Sequence, residues 1–130
     1  KFPLHPIIPA FMMRNGQPQM AFGVMGGNMQ AQGHLQMTLR CVAEGLNPQA
    51  ASDAPRWRIN DVGELIMEAQ WPVGVIDQLR QMGHDPKVQP IDSLDFGSAQ
   101  LIARLPGDNG ETVAYVGGSD TRRDGQVIGY

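Results

Sequence analysis

Phe22-Gly23-Val24-Met25-Gly26-Gly27-Asn28-Met29-Gln30 is a β-type run that ends in two adjacent glycines and opens directly into a helical pattern. A strand that turns into a helix through glycines leaves backbone N–H groups facing outward at the positive helix end. Such a turn suits an anion or a developing oxyanion, because glycine lets another group approach the backbone closely. The same two residues also serve as a tight strand-to-helix connection with no ligand. On spacing alone that plainer reading is favoured.

Working outward, Ala10 to Met13 and Gln19 to Val24 form two short β-type runs around Asn15-Gly16, a dipeptide that tolerates the positive φ of a type I′ hairpin turn. After the glycine pair, Leu35, Leu39, Val42, Ala43 and Leu46 recur at helical spacing and predict a helix from Gln30, stopped by Gly45 or Asn47-Pro48. Met37 and Cys41 fall off that stripe, so the helix is expected to be covered on more than one side. Pro48 to Ala54 reads as a short second helix ended by Pro55, and Pro72 to Met82 as a third, with Gly83 just past its end. Strands are expected at Trp57–Ile59, Glu64–Glu68, Lys87–Gln89, Ser98–Arg104 and Thr112–Val116, the last two flanking the turn Pro106 to Gly110. The order ββααββαβββ is that of an α+β layer rather than of alternating βαβ units.

One domain of 130 residues fits the length, and 42% hydrophobic residues suffice for a core. Only 18% of residues are charged, below the usual quarter, as expected of a segment that lies against other protein. A net charge of −3 lacks the basic footprint of a nucleic-acid binder, and no apolar run approaches the roughly 18 residues of a membrane span. A single cysteine, Cys41, excludes an internal disulfide and a cysteine-based metal cluster; it reads as a small buried apolar residue. The chain opens at Lys1 with a proline-rich approach, Phe2 to Pro9, the expectation for a processed or truncated product.

Among titratable residues, His34 lies inside the first helix and His84 follows Gly83, and both read as structural. His5, ahead of the first hairpin, stays open as a site residue. Asp53 and Arg56 straddle a helix end and read as a local ion pair and cap. Ser119 to Gly125 reads as a solvated polar turn. Glu64, Glu68, Asp92 and Asp95 show no spacing that argues for a metal or a glycosidase pair.

Several segments in register carry a resemblance: Phe22 to Gln30, Gly45 to Arg56, Met82-Gly83-His84, and Gly117-Gly118-Ser119-Asp120-Thr121-Arg122-Arg123-Asp124-Gly125 through Gly129-Tyr130. Together they resemble the C-terminal part of the small subunit of the γ-glutamyltranspeptidase family. The resemblance implies an N-terminal-nucleophile hydrolase fold, an αββα sandwich. It implies a self-cleaving precursor whose new N-terminal threonine attacks a γ-glutamyl amide with its own α-amino group as base, passing the acyl group to water or to an amino acid. No cofactor or metal is implied. The implied partners are the rest of the small subunit, the large subunit and an amide substrate. Family members are often periplasmic or extracellular.

By position, Gly26 and Gly27 match the family's oxyanion-hole pair. An alanine at Gly26 is then expected to place its methyl where substrate approaches, and a proline at Gly27 to remove one donor. No residue here matches the nucleophile, so the isolated chain is expected to be inactive and, with faces uncovered, homo-oligomeric. The family's paired serines are replaced by His5 and Pro6, and Thr121 stands where the family usually has proline. His5 can offer a polar substrate contact, whereas Pro6 has no donor. That departure favours a relaxed acylase, as in the related cephalosporin acylases. A non-catalytic, self-associating module is the reading from another class.

Overall fold

The computed structural model describes residues 8–90 and 93–129, so His5, Pro6 and Asp92 lie outside the described residues. Strand β1 (Ala10–Arg14) turns through Asn15 and Gly16, both at positive φ, into β2 (Gln17–Met25). That is the geometry expected of the Asn-Gly pair. Then follow helix α1 (Met29–Val42), helix α2 (Pro48–Asp53), strands β3 (Trp57–Ile59) and β4 (Leu65–Glu68), helix α3 (Val73–Gln81) and β5 (Lys87–Gln89). After a 3₁₀ turn at Leu94–Phe96 come β6 (Ser98–Pro106) and β7 (Thr112–Ser119). Each expected element is present, and boundaries move by a few residues.

The strands form two sheets. The larger is antiparallel with order β1-β2-β6-β7, and the smaller has order β3-β4-β5 with β4 and β5 parallel. Along β2 the inward residues Met20, Phe22 and Val24 alternate with exposed or half-exposed neighbours, the period of a strand covered on one face. They meet Ala99 and Leu101 of β6, Met37 of α1 and Ala51 of α2 to make the core.

Helix α1 turns a different face inward from the one its apolar spacing suggests. Leu35, Leu39 and Val42 are exposed, while Met29, Gly33, Gln36, Met37 and Arg40 are buried. A period count treats Gln36 and Arg40 as outward because it cannot see their partners. Gly33 is there for proximity, since a Cβ would lie 2.5 Å from Val24 Cγ1.

Gln36 and Gln32, one turn apart, make amide pairs with the edge of β3. Gln36 accepts from the N–H of Trp57 (3.1 Å) and donates to its carbonyl (2.8 Å). Gln32 does the same for Ile59, at 2.6 and 3.0 Å. Gln49 of α2 repeats the device on Ser119 of β7, at 3.1 and 2.9 Å. The i, i+4 spacing along a helix, roughly 6 Å, nearly equals two strand residues, which is why both α1 amides find register.

A candidate active site: the glycine turn and the charges behind it

Strand β2 ends at Met25, which pairs with Ser98 at the start of β6. The backbone then takes φ +136° at Gly26 and +56° at Gly27, values that L side chains rarely adopt. The carbonyls of Gly26 and Gly27 accept from the N–H groups of Met29 and Gln30, each at 3.0 Å, so the helix begins as a tight turn. No side chain caps it: Asn28 sends its Nδ2 to Asp61 Oδ1, 2.6 Å away in the β3–β4 turn. Neither the Gly26 nor the Gly27 N–H has an acceptor among the described residues. Two adjacent backbone donors at a helix start are what an anion or oxyanion needs.

The two glycines are not equivalent. A Cβ at Gly27 would meet nothing within 4 Å, whereas one at Gly26 would lie 2.9 Å from Gly97 Cα and 3.1 Å from Met29 Cβ. The open side of the turn is therefore that of Gly27. This corrects the expectation that a methyl at Gly26 points toward substrate; it points into the protein. The φ of +56° at Gly27 also rules out proline there as a clean donor deletion.

Behind the turn lies a group of buried charges that local sequence reading missed. Arg56 does not pair with Asp53. It is fully buried and its Nη2 meets Asp120 Oδ2 at 2.5 Å, while Nη1 donates to the Phe96 carbonyl at 3.0 Å. Asp53 instead accepts from Gln49 and Thr121. Arg122 forks onto Glu68 with two bonds of 2.6 Å and reaches Asp120 Oδ1 at 3.2 Å. Glu68 Oε2 also accepts from the Arg56 N–H at 2.6 Å. The expected solvated loop Ser119 to Gly125 is thus anchored: Asp120 and the Arg122 side chain are 0% and 1% exposed.

Burial alone would raise the Asp120 pKa. The charge of Arg56, amide bonds from Ala99 and Arg122, and the Arg56 hydrogen bond outweigh it and hold the carboxyl below its usual range. Burial lowers Arg56 against the opposing pull of Asp120. Arg40 donates to the carbonyls of Ala51 and Pro55; burial and the nearby Arg56 lower it to about 10, so it stays charged at neutral pH. Asp120 and Arg122 were visible only as part of the tail motif, and nothing in the sequence marked Gly97.

His34 is held by α1, its Nδ1–H facing the Gln30 carbonyl at 2.6 Å and its ring 5.3 Å from that of Phe22. His84 is exposed and lines a cavity of about 690 Å³ under α3. Among the described residues no three His, Cys, Asp or Glu side chains gather as a metal site, and no helix is long and apolar enough to cross a membrane.

A helix layer on one face of an antiparallel sheet, with a glycine turn where strand becomes helix, is half of the N-terminal-nucleophile hydrolase sandwich. Residues 1–130 match the Gamma-glutamyltranspeptidase family throughout, and the chain belongs to that family. It is 31% identical over 135 residues to an oxamate amidohydrolase proenzyme of Klebsiella pneumoniae, covering 100% of this chain and 25% of the relative. A glutathione hydrolase-like proenzyme of Bacillus subtilis is 29% identical over 96% of this chain and 24% of its own length. The chain spans about a quarter of the length of these curated relatives. Among solved structures, cephalosporin acylase from Bacillus halodurans superposes with a TM-score of 0.83 and 40% identity over 94% of this chain and 22% of that one. A mutant of Helicobacter pylori gamma-glutamyltranspeptidase gives 0.80 and 26%, over 95% of this chain and 64% of that one.

Proposed function

We propose that this chain supplies the oxyanion-binding turn of an amide hydrolase or acyltransferase of the γ-glutamyltranspeptidase type, within a longer self-cleaving protein. The observation that carries the proposal is the pair of N–H groups at Gly26 and Gly27 that meet no acceptor among the described residues, on a chain that matches the family from end to end. The attacking hydroxyl belongs to an N-terminal threonine outside these 130 residues, with its α-amino group as base. As that hydroxyl adds to the substrate carbonyl, the carbonyl oxygen gains charge. The Gly26 and Gly27 amides, aligned with the start of α1, donate to it. Collapse expels the amine, and water or a second amine takes the acyl group.

The remaining small subunit and the large subunit are the partners in this reading. The outer face of the larger sheet carries Phe11, Met25 and Ile102 exposed beside a groove of about 990 Å³, and offers a seat for the second sheet of the sandwich. An acylase or amidohydrolase substrate range, rather than strict γ-glutamyl transfer, is favoured by the 40% identity to a cephalosporin acylase and by His5-Pro6 in place of the paired serines.

Two measurements test the proposal. The isolated chain should give no turnover of a chromogenic γ-glutamyl or acyl anilide. In the complete enzyme, an ester replacing the amide at Gly27 removes the N–H and keeps the positive φ. It should lower kcat by roughly 10²–10³-fold, the usual loss for one oxyanion donor. A folded, self-cleaved ester enzyme with ordinary kcat would refute the role.

A further inference from the structure

The glycine turn rests on the backbone of Gly97, which itself has φ +71°. A Cβ at Gly97 would overlap the Met25 carbonyl oxygen, and one at Gly26 would lie 2.9 Å from Gly97 Cα. The Met25 carbonyl and the Gly26 N–H belong to one rigid peptide plane. Whatever fixes Gly97 therefore fixes the direction of the Gly26 donor.

Both ends of the segment Phe96 to Ala99 are held by buried charge. Arg56 Nη1 donates to the Phe96 carbonyl at 3.0 Å, and Asp120 Oδ2 accepts from the Ala99 N–H at 2.6 Å. The same Asp120 oxygen binds Arg56 at 2.5 Å, so the two clamps are one unit. Arg122 steadies that unit from the other side through Asp120 Oδ1 and Glu68, and Glu68 returns to the Arg56 N–H. One side chain from the α2–β3 connection, Arg56, and one from the tail after β7, Asp120, thus hold the segment that underlies the glycine turn, and Glu68 of β4 and Arg122 brace those two. A buried ion network of this kind is poor value for stability alone, since apolar replacements often serve as well. Its directional bonds add something non-directional apolar burial does not: they fix the orientation of the carbonyl and N–H groups they meet.

We infer that Arg56, Asp120, Arg122 and Glu68 form a positioning network for the oxyanion turn, acting through the segment Phe96 to Ala99 and its contact with the Met25–Gly26 peptide. The inference rests on the reading of Gly26 and Gly27 as oxyanion donors. It places the four charges as positioning residues that never touch substrate.

The test is made in the complete, self-cleaved enzyme. Asp120→Asn keeps an acceptor for the Ala99 N–H and removes the charge facing Arg56. Because the donor direction matters most in the transition state, kcat per active site should fall roughly 10–100-fold, as for other small misplacements, with KM nearly unchanged. Active sites are counted from the acyl-enzyme burst. A merely structural network predicts a lower melting temperature and a smaller burst with ordinary turnover per site, and that result overturns the inference. Should Asp120→Asn fail to fold, Arg122→Lys decides by the same criterion, since it keeps the charge and loses the fork. The ester at Gly27 is run alongside. Ordinary turnover in the ester enzyme removes the oxyanion reading and this inference with it. A slow ester enzyme beside an Asp120→Asn enzyme of ordinary turnover per site removes the positioning role alone.

Discussion

Alanine substitution should separate the two glycines of the turn by stability as well as by function. At Gly27 the added methyl enters open space, so the penalty is that of an L residue at φ +56°, about 1–2 kcal/mol. At Gly26 the φ of +136° is a region that only glycine adopts readily, at a cost of roughly 1–3 kcal/mol for alanine. The methyl also meets Gly97 Cα at 2.9 Å and Met29 Cβ at 3.1 Å, in a region where neither backbone can give way freely. Overpacking of that kind adds about 1–3 kcal/mol. Gly26→Ala should therefore lose roughly 2–6 kcal/mol, a large part of a typical stability of about 5–15 kcal/mol. Urea unfolding of the two variants of this chain, followed by far-ultraviolet circular dichroism, measures the difference directly. If Gly26→Ala is no less stable than Gly27→Ala, the packing of Gly26 on Gly97 is wrong. The same asymmetry makes Gly27→Ala the better probe of substrate approach in the complete enzyme, with its effect expected mainly in KM.

Two other outcomes follow from the charges and the uncovered faces. Asp120 is held below its ordinary pKa in the fold, so its contribution is present above the unfolded value of about 4 and is lost as pH falls through the lower folded value. Melting temperature should thus stay level from neutral pH to about 5 and then fall, with a shallower acid limb in Asp120→Asn; a fall already complete above pH 5 contradicts this. The exposed row Leu35, Leu39 and Val42 on α1 should drive association of the isolated chain, and Leu39→Lys should shift it toward monomer in sedimentation velocity. A parent chain that sediments as a monomer at high concentration refutes that expectation.

How much of this could be read from the sequence depends on the range of the interactions involved. The hairpin at Asn15-Gly16 and the helix between Pro72 and Gly83 are set by residues adjacent in sequence, and their chemistry is visible locally. The inward face of α1 was not, because Gln36 and Arg40 are buried by virtue of partners 21 and 15 residues away. Arg56 drew a local partner, Asp53, when its true partner lies 64 positions on. Asp120 and Arg122 are legible only as members of a tail motif; Thr121, Asp124 and Gly125 are exposed as a solvated loop predicts, whereas the two buried side chains depend on Arg56 and Glu68, far off in sequence. Gly26 and Gly27 were legible as a pair, but which one faces the open side depends on Gly97, seventy residues downstream. The role given to His5 falls on residues the structure does not describe.

The glutamine pairs on β3 make helix α1 behave, for two residues, as a fourth strand of the smaller sheet. Amide exchange should reveal this, because the N–H groups of Trp57 and Ile59 are shielded by side chains of α1 and not by a neighbouring strand. Their protection from deuterium should therefore follow the opening of the helix, while that of Arg58, which faces β4, follows the opening of the sheet. Alternate residues of one three-residue strand would then report on two different cooperative units. Loosening α1 would leave a strand edge able to recruit a foreign chain.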